Sequence, residues 1–376
     1  MKIVIAMDSF KGSMTSMEAG NSAKEGILKV IPDAEVVVKP LADGGEGTME
    51  ALLEGLGGEK VTVQVSDPLG RKVTANYAEV ISGNGEKTTV IEMAQAAGLT
   101  LLAEEEKNPY KTTTYGVGEI ICDALDRGCR NFLIGIGGSA TNDGGIGILR
   151  ALGYCFLDER GQEIQSPEDL GRIKQIYGKG IRKEIGDCTV CIACDVTNPL
   201  CGENGATYIY GSQKGLADAD LKERDNAMNS YADAVAKFTK KDCRDIPGAG
   251  AAGGVGFAFI SMLDAELMPG AELVMQATGI VEELKDADLF LTGEGRIDAQ
   301  TAMGKAPMEA ARKAKEINPN CKTIAFAGSV LPGAELCKGK GVDEIYEITP
   351  KEMTKAQAMK KEIAQENMKQ AVQIMK

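Results

Sequence analysis

The fold is decided first by residues 2–39, which read KIVIAMDSFKGSMTSMEAGNSAKEGILKVIPDAEVVVK. Residues 3–7 are apolar and typical of a short buried strand, residues 16–30 are typical of a helix, and residues 35–39 are again strand-like. Short buried strands that alternate with helices indicate a parallel sheet of the doubly wound type. Such sheets place their functional groups after the carboxyl ends of the strands.

The C-terminal part of the chain repeats this pattern. Strand-like runs stand at residues 289–291, 323–327 and 344–348, and an Ala- and Lys-rich helical stretch covers residues 308–317. The residues after Lys351 read as an amphipathic terminal helix. We therefore predict one α/β domain that is built from both ends of the chain.

The middle of the chain has a different pattern. Three runs alternate like antiparallel strands, and a helix then leads into a further strand: residues 60–65, 73–81 and 88–93, then 114–127 and 131–136. This pattern predicts a mixed α+β domain inserted at residues 65–285, with residues 1–64 and 286–376 forming the other domain. A pocket between two such domains is a usual place for a small-molecule site.

Composition limits the classes of function. The 376 residues exceed what one core usually organises, and the net charge of −13 without a basic run argues against nucleic acid and membrane surfaces as partners. No segment approaches the roughly 18 apolar residues of a membrane span, so we expect a cytoplasmic protein. The chain has no histidine, which excludes histidine-dependent catalytic triads.

Four of the ten cysteines are spaced C-x2-C-x2-C-x6-C, at positions 188, 191, 194 and 201. This spacing superficially resembles part of an iron–sulfur or zinc site. Cys191 and Cys194 lie in an apolar β run, where free cysteine behaves as a small hydrophobic residue and positions three apart face opposite sides. We favour the interpretation as buried thiols.

Six segments combine glycine with acidic, hydroxyl or basic residues after predicted strands. They are residues 8–13, 40–48, 137–145, 195–200, 248–254 and 292–298. Taken singly, each could be an ordinary turn. Together they hold what phosphoryl transfer needs: backbone amides and hydroxyls for phosphates, carboxylates for Mg²⁺, and cations for developing charge.

Two familiar nucleotide signatures are excluded. No G-x4-G-K-[ST] occurs, so the chain is not a P-loop enzyme. Residues 248–253 match G-x-G-x-x-G but follow the polar residues 240–247 rather than a strand, which argues against dinucleotide binding. A glycine-rich nucleotide loop, or tight helix packing before residues 255–263, fits better.

The chain resembles the bacterial glycerate kinases of the GarK/GlxK type over essentially its whole length. The resemblance rests on ordered motifs: DSFKGS at residue 8, PLADGGEGT at 40, GIGGSATNDGG at 135, CDVTNPL at 194, GAGAAGG at 248 and LTGEGRID at 291. It implies MgATP-dependent phosphorylation of D-glycerate to 2-phosphoglycerate on a two-domain fold. One domain would be Rossmann- or flavodoxin-like, formed by both chain ends.

Residue roles are assigned from the chemistry of the side chains. Asp195 is the predicted general base, Lys11 is expected to contact a phosphate or the substrate carboxylate, and Arg296 is expected to neutralise charge. Substrate binding is assigned to Asp8, Ser9, Asp43 and Arg71; nucleotide binding to Gly137, Gly138, Ser139, Thr141, Asn142, Asp143, Gly250 and Gly253; and metal binding to Glu294 and Asp298. Glu46 is a further candidate for the metal or the substrate hydroxyls.

Two other functions stay open on the sequence. One is a kinase for another small hydroxy acid or sugar, and the other is a non-catalytic regulator that binds a nucleotide or metabolite. ATP and Mg²⁺ are the expected cofactors, and a homo-oligomer is compatible with the sequence.

Overall fold

The computed structural model describes residues 1–374. Its strands are β1 (Lys2–Met7), β2 (Glu35–Pro40), β3 (Glu59–Ser66), β4 (Lys72–Ile81), β5 (Lys87–Glu92), β6 (Asn131–Gly135), β7 (Cys155–Leu157), β8 (Gln175–Tyr177), β9 (Thr189–Ala193), β10 (Glu266–Met268), β11 (Leu289–Ile297), β12 (Lys322–Val330) and β13 (Glu344–Glu347). Its α-helices are α1 (Ser16–Val30), α2 (Thr48–Leu56), α3 (Ala94–Ala97), α4 (Tyr115–Asp126), α5 (Ile146–Ala151), α6 (Ala206–Tyr210), α7 (Leu221–Thr239), α8 (Ala251–Met262), α9 (Gly270–Thr278), α10 (Ile280–Leu284), α11 (Ala306–Ile317), α12 (Lys355–Ala358) and α13 (Lys361–Ala371).

The two ends of the chain form one five-stranded sheet. Its strand order is β13-β12-β11-β1-β2, and every neighbouring pair is parallel. Side chains of β1 alternate between two cores: Ile3 and Ile5 pack with residues of α1 and α13, whereas Val4 packs with residues of α10 and α11. Helices therefore cover both faces, which confirms the predicted α/β fold class.

Helix α1 begins and ends where local sequence requires it. The Thr15 Oγ1 accepts a hydrogen bond from the Glu18 backbone N–H at 3.2 Å, and Glu18 Oε2 accepts one from the Thr15 N–H at 3.0 Å. This reciprocal pair is a capping box, and it fixes the start of the helix. Pro32 follows the last helical residues, where it prevents the helix from continuing.

The middle of the chain forms a six-stranded mixed sheet in the order β10-β9-β6-β5-β4-β3. Strands β3, β4 and β5 are antiparallel, as predicted, whereas β5, β6, β9 and β10 run parallel. Strands β7 and β8 form a separate antiparallel pair. The division at residues 64/65 and 285/286 stays a prediction, and its first boundary falls within β3.

One predicted loop is part of a strand. Residues 292–297 continue β11, where they pair in parallel with β12 as far as Val330. Gly293 permits this close pairing, because a β-carbon there would lie 2.1 Å from the Phe326 carbonyl oxygen. The prediction of a short strand ending at residue 291 was therefore wrong.

Two further features bear on the sequence interpretation. Within residues 1–374, no helix is both long and apolar enough to cross a membrane. The cysteines are free thiols, with Cys191 inside β9 and Cys194 just after it.

Candidate active site

The carboxyl ends of the two sheets meet at residues 41–47, the segment that follows β2. A β-carbon on Gly135, the last residue of β6, would lie 2.2 Å from the Gly44 carbonyl oxygen. A β-carbon on Gly44, whose φ is +79°, would lie 2.4 Å from the Ala193 Cβ at the end of β9. Because Gly44 and Gly135 have no side chains, residues 41–47 can pack directly over the ends of β6 and β9.

Two clefts lie on either side of this segment, and Asp43 lines both. The first, which we name the carboxylate cleft, has a volume of about 460 Å³ and is lined by Asp8, Ser9, Lys11, Asp43 and Glu46 among others. The second, the glycine cleft, has a volume of about 450 Å³ and is lined among others by Gly137, Gly138, Ser139, Asp195 and Lys214. Eight of the seventeen predicted site residues line these two clefts: Asp8, Ser9, Lys11, Asp43, Gly137, Gly138, Ser139 and Asp195.

A third cavity, of about 630 Å³, lies beside α11 and residues 339–343. It is larger than either cleft but contains none of the predicted site residues. Its charged side chains pair with one another: Arg312 with Glu309 at 2.8 Å, and Lys315 with Asp343 at 2.6 Å. We therefore place the candidate active site at the two clefts.

Asp8 dominates the electrostatics of the carboxylate cleft. Its Oδ1 accepts a hydrogen bond from the Ser9 N–H at 2.6 Å. Burial raises the pKa of Asp8 to about 7, the nearby charges of Asp43 and Glu294 act in the same direction, and the Ser9 N–H and Lys11 oppose them. Lys11 itself is exposed in the cleft. A carboxyl group that titrates near neutral pH in a cleft is typical of functional sites.

The predicted group at the end of β11, which is Glu294, Arg296 and Asp298, does not line this cleft. The buried Glu294 accepts a hydrogen bond from Thr301 Oγ1 at 2.8 Å and pairs with Lys305 at 3.2 Å. Burial raises the pKa of Glu294, although those two partners oppose the shift. The exposed Arg296 pairs with Asp298 at 3.0 Å. The metal-binding and charge-neutralising roles of this group stay predictions.

The glycine cleft is formed by the segment after β6. Gly137 and Gly138 are exposed, and their backbone N–H groups have no acceptor within residues 1–374. Gly138 has a φ of +70°, a conformation that glycine adopts without strain. Unpaired amides on a glycine-rich turn are suited to binding the oxygens of an anion.

Asp195 faces the glycine cleft from two residues beyond β9. Its Oδ1 accepts a hydrogen bond from the Gly270 N–H at 3.0 Å. The chain leaves the sheet at Ala193, so the side chain is exposed to the cleft on one side and partly buried against protein on the other. This burial raises the pKa of Asp195 and the charge of Asp43 adds to the effect, whereas the hydrogen bond from Gly270 opposes it.

Three residues of the same segment point away from the cleft. Thr141, Asn142 and Asp143 are fully buried. The Asp143 carboxylate accepts hydrogen bonds from the Thr114 N–H at 2.9 Å and from the Gly145 N–H at 3.0 Å. These three side chains are surrounded by protein and do not line the glycine cleft. Their contact with a nucleotide stays a prediction.

Gly253 packs against the segment from the other side, whereas Gly250 packs against Pro199, whose carbonyl oxygen would lie 2.2 Å from a β-carbon there. A β-carbon on Gly253 would lie 2.1 Å from the Thr141 carbonyl oxygen, and its own carbonyl accepts a hydrogen bond from the Gly144 N–H at 3.0 Å. The neighbouring Ala252 lines the glycine cleft, whereas Gly250 and Gly253 are buried. The G-x-G-x-x-G match thus provides close packing directly beside the cleft.

Arg71 is not brought to either cleft. Its guanidinium pairs with Asp67 at 2.6 Å and with Glu106 at 2.6 Å, at the turn between β3 and β4. These two carboxylates raise the pKa of Arg71. The predicted contact with a substrate carboxylate would require Arg71 to leave both partners.

Two buried cations escaped the sequence analysis. Lys214 Nζ donates to Ser139 Oγ at 2.8 Å and to the Thr141 carbonyl oxygen at 2.6 Å. Arg224, from α7, donates to Asn142 Oδ1 at 3.2 Å and lies over the Tyr110 ring at 5.2 Å. Neither follows a predicted strand. The one signal in the sequence is that Lys214 stands between glycines in GSQKG at residues 211–215.

Known proteins resemble this chain over most of its length. A family model described as the glycerate kinase family matches residues 3–376. A glycerate kinase of Halalkalibacterium halodurans is 45% identical over 95% of this chain and 93% of its own length. A glycerate 2-kinase of Escherichia coli K12 is 44% identical over 93% of this chain and 90% of its own.

The fold has a close counterpart among solved structures. A crystal structure from Salmonella typhimurium LT2, provisionally identified as glycerate kinase 2, superposes with a TM-score of 0.87 and 40% sequence identity. The match covers 99% of this chain and 96% of the other. Sequence motifs, fold and relatives agree, and the chain therefore belongs to the glycerate kinase family.

Proposed function

We propose that this chain is an ATP-dependent kinase that phosphorylates an alcohol group of D-glycerate. Family membership and the relatives named glycerate kinase support the reaction. The observation that carries the proposal is the position of Asp43, which lines both clefts. A nucleotide in one cleft and an acceptor in the other would meet at this residue.

The nucleotide phosphates belong in the glycine cleft in this proposal. The free N–H groups of Gly137 and Gly138 and the nearby cation of Lys214 are the groups that phosphate oxygens prefer. The packing of residues 248–254 against the same segment keeps its backbone fixed. A fixed set of donors stabilises developing charge without reorganising during the reaction.

The acceptor belongs in the carboxylate cleft. Lys11 is exposed there and can pair with the glycerate carboxylate, while Asp8, Ser9 and Asp43 can bind its hydroxyl groups. Asp195, across Asp43 in the other cleft, is the proposed base that takes the proton from the attacking hydroxyl. Its raised pKa brings its basicity nearer to neutral pH, where a general base is most effective.

Mg²⁺ is expected to enter with ATP, and it would neutralise phosphate charge. Magnesium bound to phosphates usually takes only one or two protein carboxylates. Within residues 1–374, no group of three His, Cys, Asp or Glu side chains is placed to hold a metal ion by itself. Asp43 fits this role well because it lines both clefts, where its Oδ1 accepts a hydrogen bond from the Gly45 N–H at 2.8 Å, whereas Glu294 and Asp298 line neither cleft.

The product is proposed to be 2-phosphoglycerate, because one relative is a glycerate 2-kinase. Phosphorus NMR of the product made from D-glycerate and MgATP tests the reaction and the position of the phosphate together. Transfer to the 3-hydroxyl would contradict the regiochemistry alone. In an ADP-release assay over a panel of acids and sugars, turnover of another acceptor without turnover of D-glycerate would contradict the substrate.

A further inference from the structure

Lys214 is a fully buried lysine without a carboxylate partner. Its side chain is 2% exposed, and within residues 1–374 no carboxylate oxygen forms an ion pair with its Nζ. By contrast, Lys305 pairs with Glu294 at 3.2 Å. Lysine is almost never fully buried unless it is paired. The burial of Lys214 therefore needs an explanation beyond ordinary packing.

This burial disfavours the charged form of the Lys214 side chain. Burial lowers the pKa of Lys214 from its ordinary value of 10.5 to about 7, although the charge of Asp143 opposes the shift. The two hydrogen bonds of Nζ go to neutral oxygens, of Ser139 and Thr141. An anion placed against the ammonium group would offset the lost hydration.

The position of Lys214 in the glycine cleft indicates which anion would bind against its ammonium group. Lys214 lines the glycine cleft together with Gly137 and Gly138, whose N–H groups have no acceptor in the described part of the chain. An ammonium group has three protons, and two of them are used by protein oxygens. We infer that the third proton of Lys214 donates to a phosphate group of the bound nucleotide, an inference that rests on the proposed function.

A purely structural role explains the site less well. Arg224 already supports the same segment by donating to the side-chain and backbone oxygens of Asn142, and it ties the segment to the Pro167 carbonyl oxygen at 2.6 Å. Arg224 does not line the glycine cleft, whereas Lys214 does. A second support beneath Ser139 and Thr141 would not require a positive charge, because both of its acceptors are neutral.

The test compares ligands that differ in phosphate number. Lys214→Met removes the charge and keeps nearly the same length, and its binding of ATP, ADP, adenosine and D-glycerate can be measured by calorimetry. We expect the Kd values for ATP and ADP to rise about 10–100-fold, as for the loss of a hydrogen bond between charged groups. The Kd values for adenosine and D-glycerate should change less than about twofold.

Lys174→Met is the matched control. Lys174 is exposed, lines neither cleft, and donates to Ser230 Oγ at 3.0 Å much as Lys214 donates to Ser139. It should leave all four affinities unchanged. If Lys214→Met does not fold, Lys214→Gln provides the same comparison with a polar side chain.

Three results would overturn the inference: equal losses for all four ligands, no loss for ATP, or a loss confined to D-glycerate. Each leaves the proposed function intact as long as the wild-type protein phosphorylates D-glycerate. Conversely, a wild-type protein without that activity but with the phosphate-dependent loss in Lys214→Met would refute the proposed function and keep Lys214 as a phosphate ligand. A wild-type protein that binds neither ATP nor ADP would refute both.

Discussion

The carbonyl oxygen of Gly44 occupies the space that a side chain on Gly135 would need, since a β-carbon there would lie 2.2 Å away. Gly44 follows β2 of the five-stranded sheet, and Gly135 ends β6 of the six-stranded sheet. The contact joins two sheets that are separate in their hydrogen bonding. It also holds Asp43 between the two clefts. The geometry of the site therefore depends on position 135 being a glycine, which has no side chain.

Gly135→Ala should displace the segment that carries Asp43. Because the new methyl group meets backbone rather than a flexible side chain, we expect a loss of about 1–3 kcal/mol in the free energy of unfolding. A displacement of about 1 Å at Asp43 should lower kcat/KM about 100-fold. Gly186→Ala is the control, because no heavy atom of the residues that the structure describes lies within 4 Å of its added β-carbon, apart from Gly186 and its chain neighbours. Equal activities for the two variants would contradict this role of the contact.

Asp195→Asn tests the proposed base. The amide keeps an oxygen that can accept the hydrogen bond from Gly270, so the fold should be preserved, but it cannot take a proton from the acceptor. We expect kcat to fall about 10²–10⁴-fold with little change in KM for ATP. Steady-state kinetics with unfolding curves checks both expectations, and the exposed Asp187→Asn serves as the control. A near-normal kcat would remove Asp195 from the base role.

Asp8 should make the stability of the protein depend on pH. Its pKa is raised from 3.8 to about 7 in the folded state, so the folded protein binds a proton more tightly than the unfolded chain. The free energy of unfolding should therefore fall as pH rises from about 4 to 7 and level off above that range. Full expression of this shift corresponds to at most about 4 kcal/mol.

Asp8→Asn separates this effect from those of other groups. The variant should be more stable than the wild type at pH 8, and the difference should shrink as the pH approaches 4. Urea unfolding at a series of pH values measures the difference directly. Parallel pH profiles for variant and wild type would show that the Asp8 carboxyl is not the titrating group.

Most of the fold could be predicted because local sequence determines it. Helix α1 was predicted at its observed bounds, since the capping pair of Thr15 and Glu18 and the following Pro32 mark both of its ends. Strand direction in the second sheet was harder to predict, because β5 pairs antiparallel with β4 and parallel with β6. Nothing in the residues of β5 distinguishes its two edges.

The site could be predicted only at the level of its segments. The pattern of glycine and polar residues after a predicted strand indicated the segments that line both clefts. The direction of each side chain, however, depends on residues far away in sequence. Asp143 turns inward because Thr114 donates to it, and Asn142 because Arg224 does. Lys214 follows no strand, and its position under Ser139 arises only from tertiary packing.

Arg224→Met should affect stability and leave the pattern of phosphate recognition unchanged. The substitution leaves the Pro167 carbonyl and Asn142 without their buried donor, so we expect a loss of about 3–5 kcal/mol in the free energy of unfolding. Since Arg224 supports the segment without lining its cleft, ATP and adenosine should lose affinity by the same factor. The neighbouring Lys222→Met, at an exposed position of α7, should change neither stability nor binding. Calorimetry with both ligands would contradict this division of roles if Arg224→Met weakened ATP binding selectively, because Arg224 would then act on phosphate as Lys214 is inferred to do.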